Sequence, residues 1–235
     1  MFDVINIPKP KEEKAGIKDP LPQLHTLFIG STGQGKTNLI LNMILRNKMY
    51  GYLSYYKKIY ILSPSACVDN SFDIVNEYID DRSNKKKSKL ASIELIPEYN
   101  NEILEDIIEE IKEDTDRERT LILLDDCMNE LSSNIKQVQT LFSRGRHYKI
   151  SVWISTQSYK KINKVLRTNS NDIIIFGDAS KRELIDLFEE FGTTGSFEEF
   201  FEMYQKATSE PYSFLQIRSK YGKKKRYTSN FNKFL

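Results

Sequence analysis

Residues 30–37 read Gly-Ser-Thr-Gly-Gln-Gly-Lys-Thr, set between an apolar run from Leu24 to Ile29 and an aliphatic, helical-looking stretch from Asn38 to Leu45. A strand, a glycine-rich loop and a helix in that order leave few folds open, because the loop must join the carboxyl end of a buried strand to a helix packed on it. Gly30, Gly33 and Gly35 permit torsions and close approaches that a Cβ would block. Together with Ser31, Thr32 and Gln34 they let successive backbone N–H groups turn inward around an anion. Lys36 then supplies a point charge near β- and γ-phosphates, and Thr37 a hydroxyl for Mg²⁺. The helix that starts here adds its positive dipole end. The spacing Gly-x-x-x-x-Gly-Lys-Thr in this setting is a phosphate-binding loop, with residues 30–37 as the nucleotide contacts.

Further along, strands and helices alternate. Lys58 to Leu62 is a β-branched and aromatic run stopped by Ser63-Pro64, and a helix follows over Ser71 to Tyr78. Asp80 to Lys89, with Lys85, Lys86, Lys87 and Lys89, reads as a solvated surface loop. Ser92 to Ile96 is a short strand, and Ile103, Leu104, Ile107, Ile108 and Ile111 make one apolar face on an acidic helix. Thr120 to Leu124 is almost wholly aliphatic, as expected of a strand buried on both faces of a parallel sheet. A helix over about Asn134 to Ser143 leads to the strand Ile150 to Ser155, and another strand runs from Asp172 to Phe176. Lys181 to Phe191 and Phe197 to Lys206 are helical, and Tyr212 to Ile217 is a late strand. This alternation predicts an α/β, doubly wound, mainly parallel sheet with its ligand at the carboxyl ends of the strands.

Composition bounds the rest. At 235 residues and 39% hydrophobic content the chain can bury one α/β core. Its net charge of +2, from 35 basic and 33 acidic residues, gives no global field for nucleic acid, so any such contact rests on local patches. Cys67 and Cys127 form neither a disulfide framework nor a metal-ligand spacing. No apolar run approaches the roughly 20 residues that span a bilayer, and residues 1–6 lack the character of a signal peptide. An intracellular protein with no membrane partner is expected. Pro8, Pro10, Pro20 and Pro22 suit an extended arm over 1–22, an ATPase domain occupies 23–218, and a basic tail over 219–235 carries Lys220, Lys223, Lys224, Lys225 and Arg226 among aromatics. Its basic groups suit DNA phosphates, and its terminal aromatics a partner protein.

Asp125 ends the aliphatic strand where a carboxylate would hold Mg²⁺ opposite Thr37. Asp126 follows directly, placed to act on an attacking water. Gln157, after Ser155-Thr156, ends the next strand on the same rim and is a sensor of the γ-phosphate or the water. Arg144 and Arg146 lie before that strand. They stand too late in the preceding helix to face their own nucleotide, so a neighbouring subunit's nucleotide is the better target, with Arg146 first and Arg144 second.

The ordered set Gly30 to Thr37, Leu121 to Asp126, Arg146 and Ser155 to Gln157 resembles the FtsK/HerA superfamily of DNA-pumping ATPases. Within it, the chain is most similar to the poxvirus-type genome-packaging ATPases of large DNA viruses, virophages and related mobile elements. The likeness covers most of residues 24–177 and includes Leu27 to Gly33 and Ile59 to Pro64. It implies a P-loop NTPase fold of the RecA-like, ASCE type with a mainly parallel sheet flanked by helices. It also implies ATP and Mg²⁺ as ligands, a homo-oligomeric ring, and hydrolysis coupled to moving double-stranded DNA into a capsid, in host cytoplasm or viral factory with virion association. Cellular members place Glu where Asp126 stands. The alternatives are a DNA helicase or a conjugation-type pump. A small-molecule kinase is disfavoured by the Asp125-Asp126 pair, and a GTPase by Leu166 in Asn163-Lys164-Val165-Leu166, where a guanine reader needs an acid.

Overall fold

The computed structural model describes residues 25–83, 88–116, 118–127, 135–193, 195–231 and 233–235. Among these residues nine strands form one sheet: β1 Thr26–Ile29, β2 Lys58–Leu62, β3 Ser92–Ile96, β4 Thr120–Asp125, β5 Ile150–Thr156, β6 Asp172–Phe176, β7 Phe214–Arg218, β8 Tyr227–Ser229 and β9 Lys233–Phe234, in the order β3-β2-β4-β5-β1-β6-β7-β8-β9. From β3 to β6 the neighbours pair in parallel, and β7, β8 and β9 add antiparallel pairs at one edge. The helices among the described residues are α1 Lys36–Leu45, α2 Asn47–Tyr50, α3 Tyr52–Tyr55, α4 Asp73–Ser83, α5 Asn101–Glu113, α6 Lys136–Arg144, α7 Lys164–Asn169, α8 Lys181–Phe191, α9 Phe197–Ala207 and α10 Lys223–Arg226.

Central strands are apolar on both faces because each face carries helices. Alternate side chains therefore enter different cores. Leu27 and Ile29 of β1, Ile122 and Leu124 of β4, and Val152 and Ile154 of β5 pack with α5, α6, α8 and α9. Phe28, Leu121, Leu123 and Trp153 point the other way, into a core shared with α1, α3 and α4. The acidic α5 sets Leu104, Ile107 and Ile111 inward, and its start is held by the Asn100 side chain, which accepts from the Ile103 N–H at 2.8 Å.

Several expectations meet the structure differently. The helix expected from Ser71 starts at Asp73, after a single 3₁₀ turn at Asn70–Phe72, and runs on to Ser83. Asp80 and Asp81 are therefore helical, and residues 84–87, with Lys85, Lys86 and Lys87, lie outside the described residues. So do the arm 1–22 and Asn134. Tyr212 does not begin a strand: β7 starts at Phe214, and Tyr212 sits in a turn with φ 62°. The stretch read as a tail from 219 is corrected most. Leu215, Gln216 and Ile217 pair with Ser229, Thr228 and Tyr227, and Tyr227 and Thr228 are buried, because the open edge of β7 offers a ladder that β8 completes. Phe231, one of the terminal aromatics expected to meet a partner protein, instead packs against Phe214 at a centroid distance of 4.7 Å. Phe234 remains 42% exposed.

His25 locks the start of β1. Its ring stacks on Phe142 at 4.4 Å, its Nδ1 accepts from the Val152 N–H at 3.2 Å, and it is buried. Burial pushes the imidazole down to about 4. Between about pH 6.5 and 4 the unfolded chain therefore binds a proton that the folded one refuses, and the stability His25 contributes is lost as pH falls. The stability difference between wild type and His25→Gln should shrink by about 3 kcal/mol from pH 7 to 4, as measured by denaturant titration. Asp172, raised by burial to about 6, acts in the opposite sense. The difference between the two proteins therefore carries the test, not the wild-type curve alone.

Candidate functional site

The carboxyl ends of β1, β4 and β5 converge because β5 lies between β1 and β4. Gly30 closes β1 by donating its N–H to the Thr156 carbonyl of β5 at 3.2 Å. A Cβ at Gly30 would stand 2.9 Å from Phe176 Cβ, so the close approach requires glycine. Gly33 and Gly35 have φ of 82° and 88°, torsions that curl the loop back on itself. Gly35 caps α1 with no side-chain hydrogen bond, and no acidic residue stands in the first turn. That helix end therefore keeps its positive field for an anion.

Lys36 Nζ donates to the carbonyls of Gly30 at 2.6 Å and Ser31 at 2.9 Å, which holds the amine over the loop. Burial lowers its pKa, against the opposing pull of Asp125, Asp126 and Asp178. Thr37 Oγ1 donates to Asp125 Oδ2 at 3.2 Å, and Ser63 Oγ donates to the same oxygen at 3.3 Å. Asp125 is only 1% exposed. Burial raises its carboxyl above the ordinary value and the Asp126 charge adds to this, while the Ser155, Thr37 and Ser63 hydroxyls pull it back.

Asp126 differs in every respect. It is exposed, and its φ of 55° places it in the left-handed region, which Asp tolerates better than most residues and which turns the chain sharply off β4. Gln157 Nε2 donates to Asp126 Oδ1 at 3.4 Å. The two rim residues picked from separate strand ends thus meet.

Arg144 and Arg146 do not join them. They precede β5 whereas Gln157 follows it, and a seven-residue strand spans about 20 Å. Both are exposed at the opposite rim. Arg144 lines a groove between α5 and α6 with Glu105, Glu109 and Tyr148.

Sequence reading passed over four contributors. Ser63, which reads from sequence as the stop of β2, orients Asp125. Asp178, just past β6, accepts the Ser31 N–H at 2.6 Å and anchors the loop. Glu183 in α8 accepts from Ser158 Oγ at 2.6 Å and from the Tyr159 N–H at 3.0 Å, pinning the segment after Gln157. Burial acts to raise the Glu183 carboxyl, but these bonds and those from Ser180 outweigh it and leave the pKa lowered. Tyr212 lies against Gly35. Only Glu183 had a local signal, the Ser180-x-x-Glu183 capping box that starts α8.

The family model described as Poxvirus A32 protein matches residues 21–211, most of the chain. This chain belongs to that family. Membership of that family makes the protein a packaging ATPase of the FtsK/HerA kind, and DNA is what an ATPase of this kind handles. The matched span holds the loop, Asp125-Asp126, both arginines and Gln157, and stops one residue short of Tyr212. The chain is 25% identical to uncharacterized protein 075L of Invertebrate iridescent virus 6 over 196 residues, which is 81% of this chain and 69% of that one. It is 23% identical to uncharacterized protein 088R of Invertebrate iridescent virus 3, over 93% of this chain and 76% of that one. The fold is shared with the genome packaging NTPase B204 of Sulfolobus turreted icosahedral virus 2 in complex with AMP, at a TM-score of 0.60 and 14% identity, covering 85% of this chain and 94% of that one. The ATP-gammaS complex of B204 aligns at 0.57 and 15% identity, over 92% and 96%. Among the described residues no helix is long and apolar enough to cross a membrane.

Proposed function

We propose that this chain is an ATP-driven motor that translocates double-stranded DNA and packages a viral genome into a capsid, working as a homo-oligomeric ring. The observation that carries the reading is the single rim on which Lys36, Thr37, Asp125, Asp126 and Gln157 meet, in a member of the Poxvirus A32 protein family. Support also comes from B204, described as the DNA-packaging ATPase from Sulfolobus Turreted Icosahedral Virus and alike in fold.

The loop N–H groups and Lys36 hold the β- and γ-phosphates. Thr37 Oγ1 and the Asp125 carboxylate, hard oxygen donors in contact at 3.2 Å, are the residues that would hold Mg²⁺. When bound, it neutralises part of the phosphate charge. Asp126 is the base: its carboxylate orients a water and takes the proton as the water oxygen bonds to the γ-phosphorus. The bond from the γ-phosphorus to the β–γ bridging oxygen breaks, and ADP leaves with that electron pair. Gln157 hydrogen-bonds the γ-phosphate or the water and so reports hydrolysis to the segment that Glu183 holds. Arg146, on the far rim of its own sheet, serves the neighbour's ATP, where its guanidinium offsets charge on the transferring group. Arg144, which lines the groove between α5 and α6, is the second choice.

The test is ATPase rate with and without double-stranded DNA, with particle size recorded alongside. DNA should stimulate hydrolysis in ring-sized particles and leave the duplex intact. A rate indifferent to DNA in assembled rings would overturn the motor reading, and strand separation would favour a helicase.

A further inference from the structure

Tyr212 breaks a conformational rule in an instructive place. Glu210-Pro211-Tyr212-Ser213 is a closed turn in which the Ser213 N–H donates to the Glu210 carbonyl at 3.1 Å. The Glu210 N–H donates to Ser213 Oγ at 3.2 Å and doubles the closure. Proline at the second position and a φ of 62° at the third are the pattern of a type II turn, whose third position ordinarily requires glycine. A bulky aromatic is held there instead. Strain of this kind persists where a site uses the side chain it presents.

That side chain is 58% exposed, so burial in the core does not account for it. It lies against the phosphate-binding loop. A Cβ on Gly35 would stand 3.2 Å from Tyr212 Cδ1, so glycine at this position is what lets the ring close over the residue just before Lys36.

The sheet order then orients the ligand. Asp125, Asp126 and Gln157 lie on the side of β1 occupied by β5 and β4, and the terminal phosphate must face them. The other end of the nucleotide leaves the loop toward β6 and β7, where the turn carrying Tyr212 leads into β7. A flat aromatic face beside the loop on that side matches a purine ring.

We propose that Tyr212 is the base-stacking platform of the nucleotide site, taking the purine of ATP on its ring. The proposal rests on the ATPase reading and adds to it the residue that holds the base. Stacking recognises the π-face of a base, so the ring is needed and the hydroxyl is not.

The test compares wild type, Tyr212→Phe and Tyr212→Gly in the full chain, with dissociation constants measured by calorimetry for ATP and for inorganic tripolyphosphate in the presence of Mg²⁺. Tyr212→Gly should lose ATP affinity by roughly 5- to 150-fold, the worth of one base stacked on one aromatic ring. Tyr212→Phe should bind ATP as wild type does, and tripolyphosphate should bind all three alike. Thermal melting of Tyr212→Gly should be no lower than wild type, because glycine suits the positive φ. Unchanged ATP affinity in Tyr212→Gly overturns the proposal. An equal loss for tripolyphosphate also overturns it, since Tyr212 would then act by shaping the loop at Gly35. Wild type that binds neither probe instead brings down the ATPase reading itself, so the two failures are told apart.

Discussion

Replacing Asp126 with Asn should leave ATP bound and stop its turnover, with kcat falling by about 10²- to 10⁴-fold, the usual worth of a positioned base. The amide keeps the size of the side chain and its contact range to Gln157, but it cannot accept the water's proton. The same change at Asp125 should read out differently. Asp125 is buried beneath the Thr37 and Ser63 hydroxyls, which can still donate to an amide oxygen, but the amide carries no charge for a hard divalent cation. Asp125→Asn should therefore weaken Mg²⁺-dependent nucleotide binding as well as turnover. Equilibrium binding with and without Mg²⁺, followed by single-turnover hydrolysis, separates the two. Equal effects on binding would show that the division of labour between the neighbouring carboxylates is wrong.

Mixing two inactive variants should restore activity. Lys36→Ala removes the charge that serves the phosphates and should abolish hydrolysis while the domain stays folded, because the Lys36 contacts are to loop carbonyls and not to the core. Arg146→Ala should lower the rate by about 10³- to 10⁵-fold if it is the arginine supplied across the interface. In a mixed ring, some interfaces pair an intact Lys36 with a neighbour's intact Arg146, and only there is the site complete. Even a small share of such interfaces should stand clear of either variant alone, and specific activity of the wild type should rise with concentration as rings form. The opposite-rim position of Arg146 supports this arrangement, since about 20 Å of β5 separates it from the site in its own chain. A mixture as inactive as its components, with assembly intact, removes Arg146 from the neighbour's site.

The sequence by itself determined the features whose chemistry is local. A phosphate-binding loop works through consecutive N–H groups and the residues beside them, so Gly30 to Thr37 must be contiguous and can be read directly. Doubly buried strands must be aliphatic throughout, which exposed β4 and, at its end, Asp125-Asp126. Gln157 was legible for the same reason, as the residue after a strand.

What only the tertiary structure decided are the relations between segments. Nothing local states that β5 inserts between β1 and β4 or that β2 pairs with β4, yet the first brings Gln157 to Asp126 across 31 residues and the second brings Ser63 to Asp125 across 62. Strand order is set by which long-range ladders and crossovers pack together, and that energy is shared among distant partners. The late edge shows the same limit. β8 is three residues long beside a basic stretch, and its pairing and burial come from β7, not from its own propensity. Tyr212 shows it most sharply: its aromatic character suits a strand, but the closed turn at Pro211 and contact with Gly35, 177 positions earlier, set it against the phosphate-binding loop. Propensity belongs to a residue, whereas a site belongs to the contacts that folding brings together.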